Sequence, residues 1–318
     1  MAHSTLIAVV GEALIDLVVS ADGKIAAQPG GGPYNTARTL ARLGMPAVFI
    51  GRLAADGFGR TLGGMLTADG VTLGVPEPSA APSTLAVAEI GADGGARYGF
   101  YLTGTAAADL EYPVLRAALP DGAGALHVGT LGLVMEPIAA SVERLITQDL
   151  PDDVLVMIDP NCRPAAIADR AAYLARFERI LRRADVVKVS VEDLDYLCPG
   201  DPPEVAAATL LGDKRALILV TDGPRPARAV MPGSVLMAKV PKMPVVDTIG
   251  AGDAFGGAFL AWWLANKLTR DDLTHHALVR DALRAAVGAA SLTCGRVGAD
   301  PPTLADLRAL DRWPVPAR

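Results

Sequence analysis

The segment Asp247-Thr248-Ile249-Gly250-Ala251-Gly252-Asp253-Ala254-Phe255-Gly256-Gly257-Ala258-Phe259-Leu260 sets a tight glycine turn and then an acid against the start of an apolar helix. Gly250 to Gly252 can aim their backbone N–H groups at one point, and a helix beginning near Gly252 adds unpaired N–H groups and the positive end of its dipole. An anion such as phosphate suits that position. Asp253 places a carboxylate beside a pocket made for negative charge, which costs energy unless it takes up a proton or meets a cation. A base beside an anion cradle is equipment for phosphoryl transfer. The structural alternative is a capped helix after a glycine turn. Against it, Gly256 and Gly257 lie inside the helix at roughly 1 kcal/mol each relative to alanine, which predicts a close approach to that face. The segment has no Gly-Lys-Ser/Thr ending and carries an acid in place of lysine, so it is not a P-loop.

Other polar clusters interrupt apolar runs. Gly11-Glu12-Ala13-Leu14-Ile15-Asp16 ends a strand with an acid; on these residues alone Asp16 is a turn-facing aspartate and Glu12 orients the strand. Pro29-Gly30-Gly31-Gly32-Pro33-Tyr34-Asn35 precedes a helix and lets backbone approach a ligand closely, while Asn35 offers a donor and acceptors. Ile158-Asp159-Pro160-Asn161-Cys162-Arg163-Pro164 follows a strand. An Asp-Pro turn explains part of it, but an arginine at a strand end calls for a planar acceptor, so Asn161 and Arg163 are placed to hold polar substrate or phosphate groups. Lys188, Ser190, Glu192 and Asp193 close a further strand, and Thr221-Asp222-Gly223 another. His275 and His276 are adjacent, cannot share one helix face, and read as surface residues.

These groups need a scaffold. With 318 residues and abundant apolar side chains the chain can bury a large core. Short apolar runs at 47–50, 125–128, 154–158, 186–189 and 216–220 alternate with helical patterns at 34–43, 137–148, 170–183 and 273–292, which predicts a parallel α/β sheet covered on both faces. In such sheets ligands collect at the carboxyl ends of strands, where Asn161, Thr221 and Asp253 are expected to emerge. Thr84–Ile90 and Ala96–Leu102, around Gly91–Gly95, break the alternation as a hairpin. The runs at 6–10 and 14–19 are expected to add strands to a small second sheet. The net charge of −6 and the lack of Lys/Arg clusters exclude a nucleic-acid or anionic-membrane surface. Cys162, Cys198 and Cys294 are too scattered for a disulfide framework or zinc site. Glu12 and Asp16 interrupt the first apolar run before it gains signal-peptide character, so a cytoplasmic location is expected.

Taken together, Asp247–Leu260, Pro29–Asn35 and Asp159–Arg163 resemble the signatures of the ribokinase-like (pfkB) family of carbohydrate kinases, nearest in pattern to fructokinases, and the resemblance covers nearly the whole chain. It implies an α/β, doubly wound, mostly parallel sheet flanked by helices with a small β-sheet lid, all within a single domain over 1–318, the lid strands lying within 11–32 and 84–108. It implies transfer of the ATP γ-phosphoryl group to a sugar hydroxyl. Asp253 would be the base, with Gly250, Ala251 and Gly252 donating N–H groups to the phosphoryl oxygens. Asp16, Gly31, Asn35, Tyr101, Asn161 and Arg163 would meet the sugar, and Lys188, Ser190, Thr221, Gly223 and Gly252 the nucleotide. Mg2+ would ride on the phosphates, with Asp193 standing where the family has a glutamate and acting through water. Asp247 and the Leu292–Ala299 segment would border a monovalent cation such as K+. A homodimer through the lid is implied as well. Kinases for 2-keto-3-deoxygluconate, ribose or nucleosides share the scaffold, and a catalytically silent binding member is the alternative from another class. After Tyr101 this chain has Leu102-Thr103-Gly104 where the acid-sugar kinases and many fructokinases of the family place arginine, which argues against carboxylate recognition and counts in part against fructose as well.

Overall fold

The computed structural model describes residues 4–91, 96–212 and 217–314. Among them, strands β1 (Ile7–Val10), β2 (Leu14–Val19), β3 (Ile25–Gly30), β4 (Ala47–Ile50), β5 (Thr72–Leu73), β6 (Thr84–Ile90), β7 (Ala96–Tyr101), β8 (Ala125–Gly129), β9 (Leu155–Asp159), β10 (Val186–Ser190), β11 (Leu217–Thr221), β12 (Ala227–Met231) and β13 (Ser234–Ala238) make two sheets. The larger runs β13-β12-β11-β10-β9-β8-β1-β4-β5, parallel from β5 to β11 and closed on one side by an antiparallel meander. Its central strands are mostly apolar because both faces are covered, with His127 in β8 and Lys188 in β10 as buried exceptions. Ile7 and Val9 enter one core, and Ala8 and Val10 enter the other. The first core lies under helices Gly32–Arg42, Ala251–Ala265 and His276–Cys294; the second lies under Ile138–Arg144, Arg170–Leu181 and Pro203–Leu211. Within the first, Trp262 and Trp263 are wholly buried, and each indole N–H finds a backbone carbonyl, Pro314 at 2.8 Å and Thr269 at 3.0 Å.

The smaller sheet runs β3-β2-β6-β7. The expected assignment of its first members needs correcting. The run at 6–10 is the centre of the large sheet, and only the run at 14–19 crosses into the small one; the chain changes sheet at Gly11–Ala13. Both runs are rich in apolar residues, and the one polar break, Asp16 in the second, did not separate them. β3, which lies within the 11–32 stretch expected to hold lid strands, pairs with β2 despite three exposed residues and Pro29 because it occupies an edge. The hairpin strands β6 and β7 fall where predicted; its turn residues 92–95, like Ala216, lie outside the described residues. The late helix starts at His276 and not at Leu273, since a capping box between Thr269 and Asp272 first winds a 3-10 turn over Arg270–Thr274. Among the described residues no helix is long and apolar enough to cross a membrane.

Candidate active site

The turn before helix Ala251–Ala265 is built by Asp247, whose Oδ1 accepts from the Ile249 amide at 3.1 Å and whose Oδ2 accepts from the Gly298 amide at 2.9 Å. Gly250 then caps the helix at φ 74°, a left-handed conformation that only glycine adopts without strain. Its carbonyl accepts from Ala254 at 2.8 Å. The donor set differs from expectation at one position: the Ala251 amide is turned to the Thr248 carbonyl at 3.3 Å. Among the described residues the amides of Gly250, Gly252 and Asp253 have no acceptor, and these are the donors left for an anion. Asp253 itself stands in the first turn of the helix and not at a strand end. The two internal glycines have a packing reason. A Cβ on Gly256 would sit 3.1 Å from Met157 Cε, and one on Gly257 2.9 Å from Thr39.

Lys188 lies under the turn, close enough that a Cβ on Gly252 would stand 2.8 Å from its Nζ. Its ammonium donates to Asp159 Oδ2 at 2.9 Å, and both side chains are buried. Burial alone would pull the Lys188 pKa down, but Asp159, Asp193 and Asp253 together raise it. Burial pushes Asp159 up to about 7 against the pull of Lys188, with Asp193 and Asp253 adding to the rise. Asp159 Oδ1 is buried without a partner.

Asp193 is engaged by backbone amides. Its Oδ1 accepts from the Cys162 amide at 2.7 Å, its Oδ2 accepts from the Ser190 amide at 2.8 Å, and the Ser190 hydroxyl accepts from the Asp193 amide at 3.1 Å. Both residues form a capping box that also ties down the loop after β9, so neither faces a ligand as freely as the sequence suggests. Ser190 and Thr221 end adjacent strands in register, and Gly223 follows in the turn, so these three do converge at the carboxyl edge of the sheet.

On the other side of Asp253, Asn35 Nδ2 donates to Asp253 Oδ2 at 2.8 Å, while Asn35 Oδ1 is buried and unpaired. Gly31 has φ 109°, and a Cβ there would stand 2.7 Å from the Glu12 carbonyl. Asp16 lies across Gly30, where a Cβ would fall 2.0 Å from its Oδ2. Burial raises the Asp16 pKa to about 6, with Arg163 opposing and Asp253 adding. Burial likewise raises Asp253, while Asn35, Lys188 and Arg163 hold it back. Asp16, Asn35, Asp253, Lys188 and Arg163 are therefore one electrostatic group. Arg163 is exposed, and its Nη1 donates to the carbonyls of Asn161 at 3.2 Å and Cys162 at 3.1 Å, so part of its fork is spent on its own loop.

Tyr101 is not brought to this group. It pairs with Leu85, one residue out of step with the row Asp16–Ala86–Phe100, and strand alternation turns it to the opposite face, where it is exposed. Tyr98 and Phe100 take its place, lining a cavity of about 340 Å³ with Arg163, Pro164 and Ala165. A larger cavity of about 410 Å³, between helix Pro203–Leu211 and the meander, is mostly apolar, and its Arg228 is already paired with Glu204 and Asp222. Chemistry, not size, marks the site.

Thr130 was not found from sequence. It follows β8 at φ 49°, unusual for a β-branched residue, and its Oγ1 accepts from Asn161 Nδ2 at 3.3 Å, Asn161 itself having φ 37°. A Cβ on Gly32 would stand 2.3 Å from that Oγ1 and 3.4 Å from Asp253 Oδ1. The available signal was Gly129-Thr130-Leu131-Gly132 at the end of a buried strand, a loop at the carboxyl edge where ligands gather.

The model of the pfkB family carbohydrate kinases matches residues 4–306. The chain is 33% identical to a fructokinase of Rhizobium leguminosarum bv. trifolii over 255 residues, 79% of this chain and 77% of that protein. Its structure superposes with TM-score 0.84 on the fructokinase of Xylella fastidiosa with bound ATP, at 26% identity over 96% of this chain and 98% of the other. The fructokinase of Vibrio cholerae O395 in its fructose, ADP and calcium ion bound form gives 0.83 at 27% identity over the same shares.

Proposed function

The chain belongs to the pfkB family of carbohydrate kinases, and from that premise we propose that it transfers the γ-phosphoryl group of ATP to a hydroxyl of a neutral sugar, with fructose as the first candidate. The observation that carries the reading is the Asp253 carboxylate, oriented by Asn35 beside the unpaired amides of Gly252 and Asp253. In the proposed reaction Asp253 takes the proton of the attacking hydroxyl, and burial raises its pKa, which makes it a stronger base than an ordinary carboxylate. The amides of Gly250, Gly252 and Asp253 stabilise charge on the phosphoryl oxygens, and Lys188 adds a positive charge beneath them. Asp16 accepts from sugar hydroxyls, while Phe100 and Tyr98 offer apolar faces to the ring carbons. The small sheet closes over the cleft and excludes water.

Among the described residues no three metal-ligating side chains converge. The unpaired Asp159 Oδ1 fits an ion held chiefly by phosphates and water with one carboxylate behind it. Mg2+ so held would neutralise phosphate charge. The two capping residues, Ser190 and Asp193, contribute order to that edge of the cleft.

Neutral substrates are favoured by charge. The cleft presents Asp16 and Asp253, and its exposed cation Arg163 is partly spent on its own loop. Leu102 is half-buried against the second core and offers no cation. A substrate carboxylate would lose hydration without full compensation, a penalty of several kcal/mol. ADP release with ATP and Mg2+ across fructose, ribose, nucleosides and 2-keto-3-deoxygluconate tests this. Fructose is expected to show the highest kcat/KM. A panel led by 2-keto-3-deoxygluconate would overturn the reading and turn attention to Arg163.

A further inference from the structure

Glu12 is wholly buried, and its two carboxylate oxygens serve different parts of the chain. Oε1 accepts from the Gly32 amide at 3.1 Å, at the start of helix Gly32–Arg42; Oε2 accepts from the Gly132 amide at 3.0 Å, in the turn after β8. Among the described residues its hydrogen-bond partners are backbone amides, and burial, with the like charge of Asp253 adding, pushes its pKa up to about 8. A buried carboxylate with this support costs stability that an apolar residue would not, so the position calls for a role other than stability.

We propose that Glu12 is a positioning residue for phosphoryl transfer, a clamp that holds the turn carrying Gly31 and Asn35 in register with the turn carrying Thr130. The proposal rests on the kinase reading above. Three observations support it. Helix Gly32–Arg42 carries Asn35, which orients Asp253. The turn after β8 carries Thr130 in a left-handed conformation that a β-branched residue holds only when its surroundings fix it. The two turns then meet at Gly32 and Thr130 Oγ1, with room for no side chain on Gly32. Glu12 touches neither substrate, yet a displacement at either oxygen moves Asn35 or Thr130 with respect to Asp253.

The variants are Glu12→Gln, isosteric but with one acceptor oxygen in place of two, and Glu12→Asp, which keeps the carboxyl group but is one methylene too short to reach both turns. Residue-resolved hydrogen exchange reads the clamp directly: the Gly32 or the Gly132 amide is expected to exchange at least tenfold faster in each variant. Steady-state kinetics then read its consequence, a fall of at least tenfold in kcat/KM for the sugar with KM for ATP within threefold. A merely structural role would change both substrates alike. The proposal is overturned if either folded variant keeps sugar kcat/KM within threefold of wild type, or loses sugar and ATP equally, or leaves both amides protected. A wild-type protein that phosphorylates no sugar in the panel defeats the kinase reading instead, and the exchange experiment still decides the clamp.

Discussion

Replacing Lys188 by methionine keeps the shape of the stem and removes the ammonium that lies 2.9 Å from Asp159 Oδ2 under the Gly250–Gly252 turn. Breaking a buried ion pair from one side typically costs 3–5 kcal/mol, because the other charge is stranded. Here the cost depends on pH. The Asp159 pKa in the folded protein is raised from 3.8 to about 7, so below that value the carboxyl is protonated and strands no charge. Losing Lys188 raises it further, and the added penalty appears only as pH rises through about 7. Lys188→Met is therefore expected to lose more melting temperature at pH 8.5, on the order of 5–10 °C, than at pH 6, where only the attraction that raises the Lys188 pKa is lost. Adding Asp159→Asn removes the stranded charge and is expected to restore the melting temperature at pH 8.5. Turnover is a separate matter, since the positive charge beneath Gly252 stays absent: ADP release by the double variant is expected to remain at least tenfold below wild type. Thermal melts at the two pH values and a coupled ADP assay check both halves. A double variant with wild-type kcat would show that the pair serves packing alone, and a pH-independent loss in Lys188→Met would refute the charge argument.

Protonation of Asp16, whose pKa is raised to about 6, removes an ionised acceptor, so sugar kcat/KM is expected to fall as pH drops through about 6, and Asp16→Asn to abolish that limb of the profile. Asn35→Ala frees the Asp253 carboxylate and removes a group from the sugar side; calorimetry is expected to show sugar affinity reduced at least tenfold with ATP affinity within threefold. Asp193→Ala deletes the capping box and the anchor of the Cys162 amide, and denaturant titration is expected to show a loss of about 1–2 kcal/mol with an unchanged Mg2+ requirement. A shifted Mg2+ requirement there would return Asp193 to the metal.

The parallel sheet was legible because its central strands are buried on both faces and so read as mostly apolar runs, broken inside by His127 and Lys188. Edges were harder. β3 has exposed residues and a proline, and β12 and β13 form a meander that hydrophobic period does not distinguish from loop. In the site, residues held by local chain geometry were legible: the Gly250 turn and the helix beginning beside Gly31 follow from glycine spacing. Groups defined by contacts between distant segments were not. Thr130 matters through Gly32 and Asn161, Asp159 through Lys188 on the neighbouring strand, and Tyr101 lost its place to Phe100 by a single step of strand alternation. Asp193 carried the chemistry of a ligand and the spacing of a cap, and the hydrogen bonds of Ser190 decided for the cap.

The central claim, that Asp253 is the base of a sugar kinase, is tested most directly by ADP formation from ATP, Mg2+ and fructose, measured for the wild type and for Asp253→Asn at saturating substrate. The account predicts a fall in kcat of roughly 10²–10⁴-fold, the usual contribution of a positioned base, with ATP binding by calorimetry within threefold of wild type. Turnover in the variant within tenfold of wild type would contradict it.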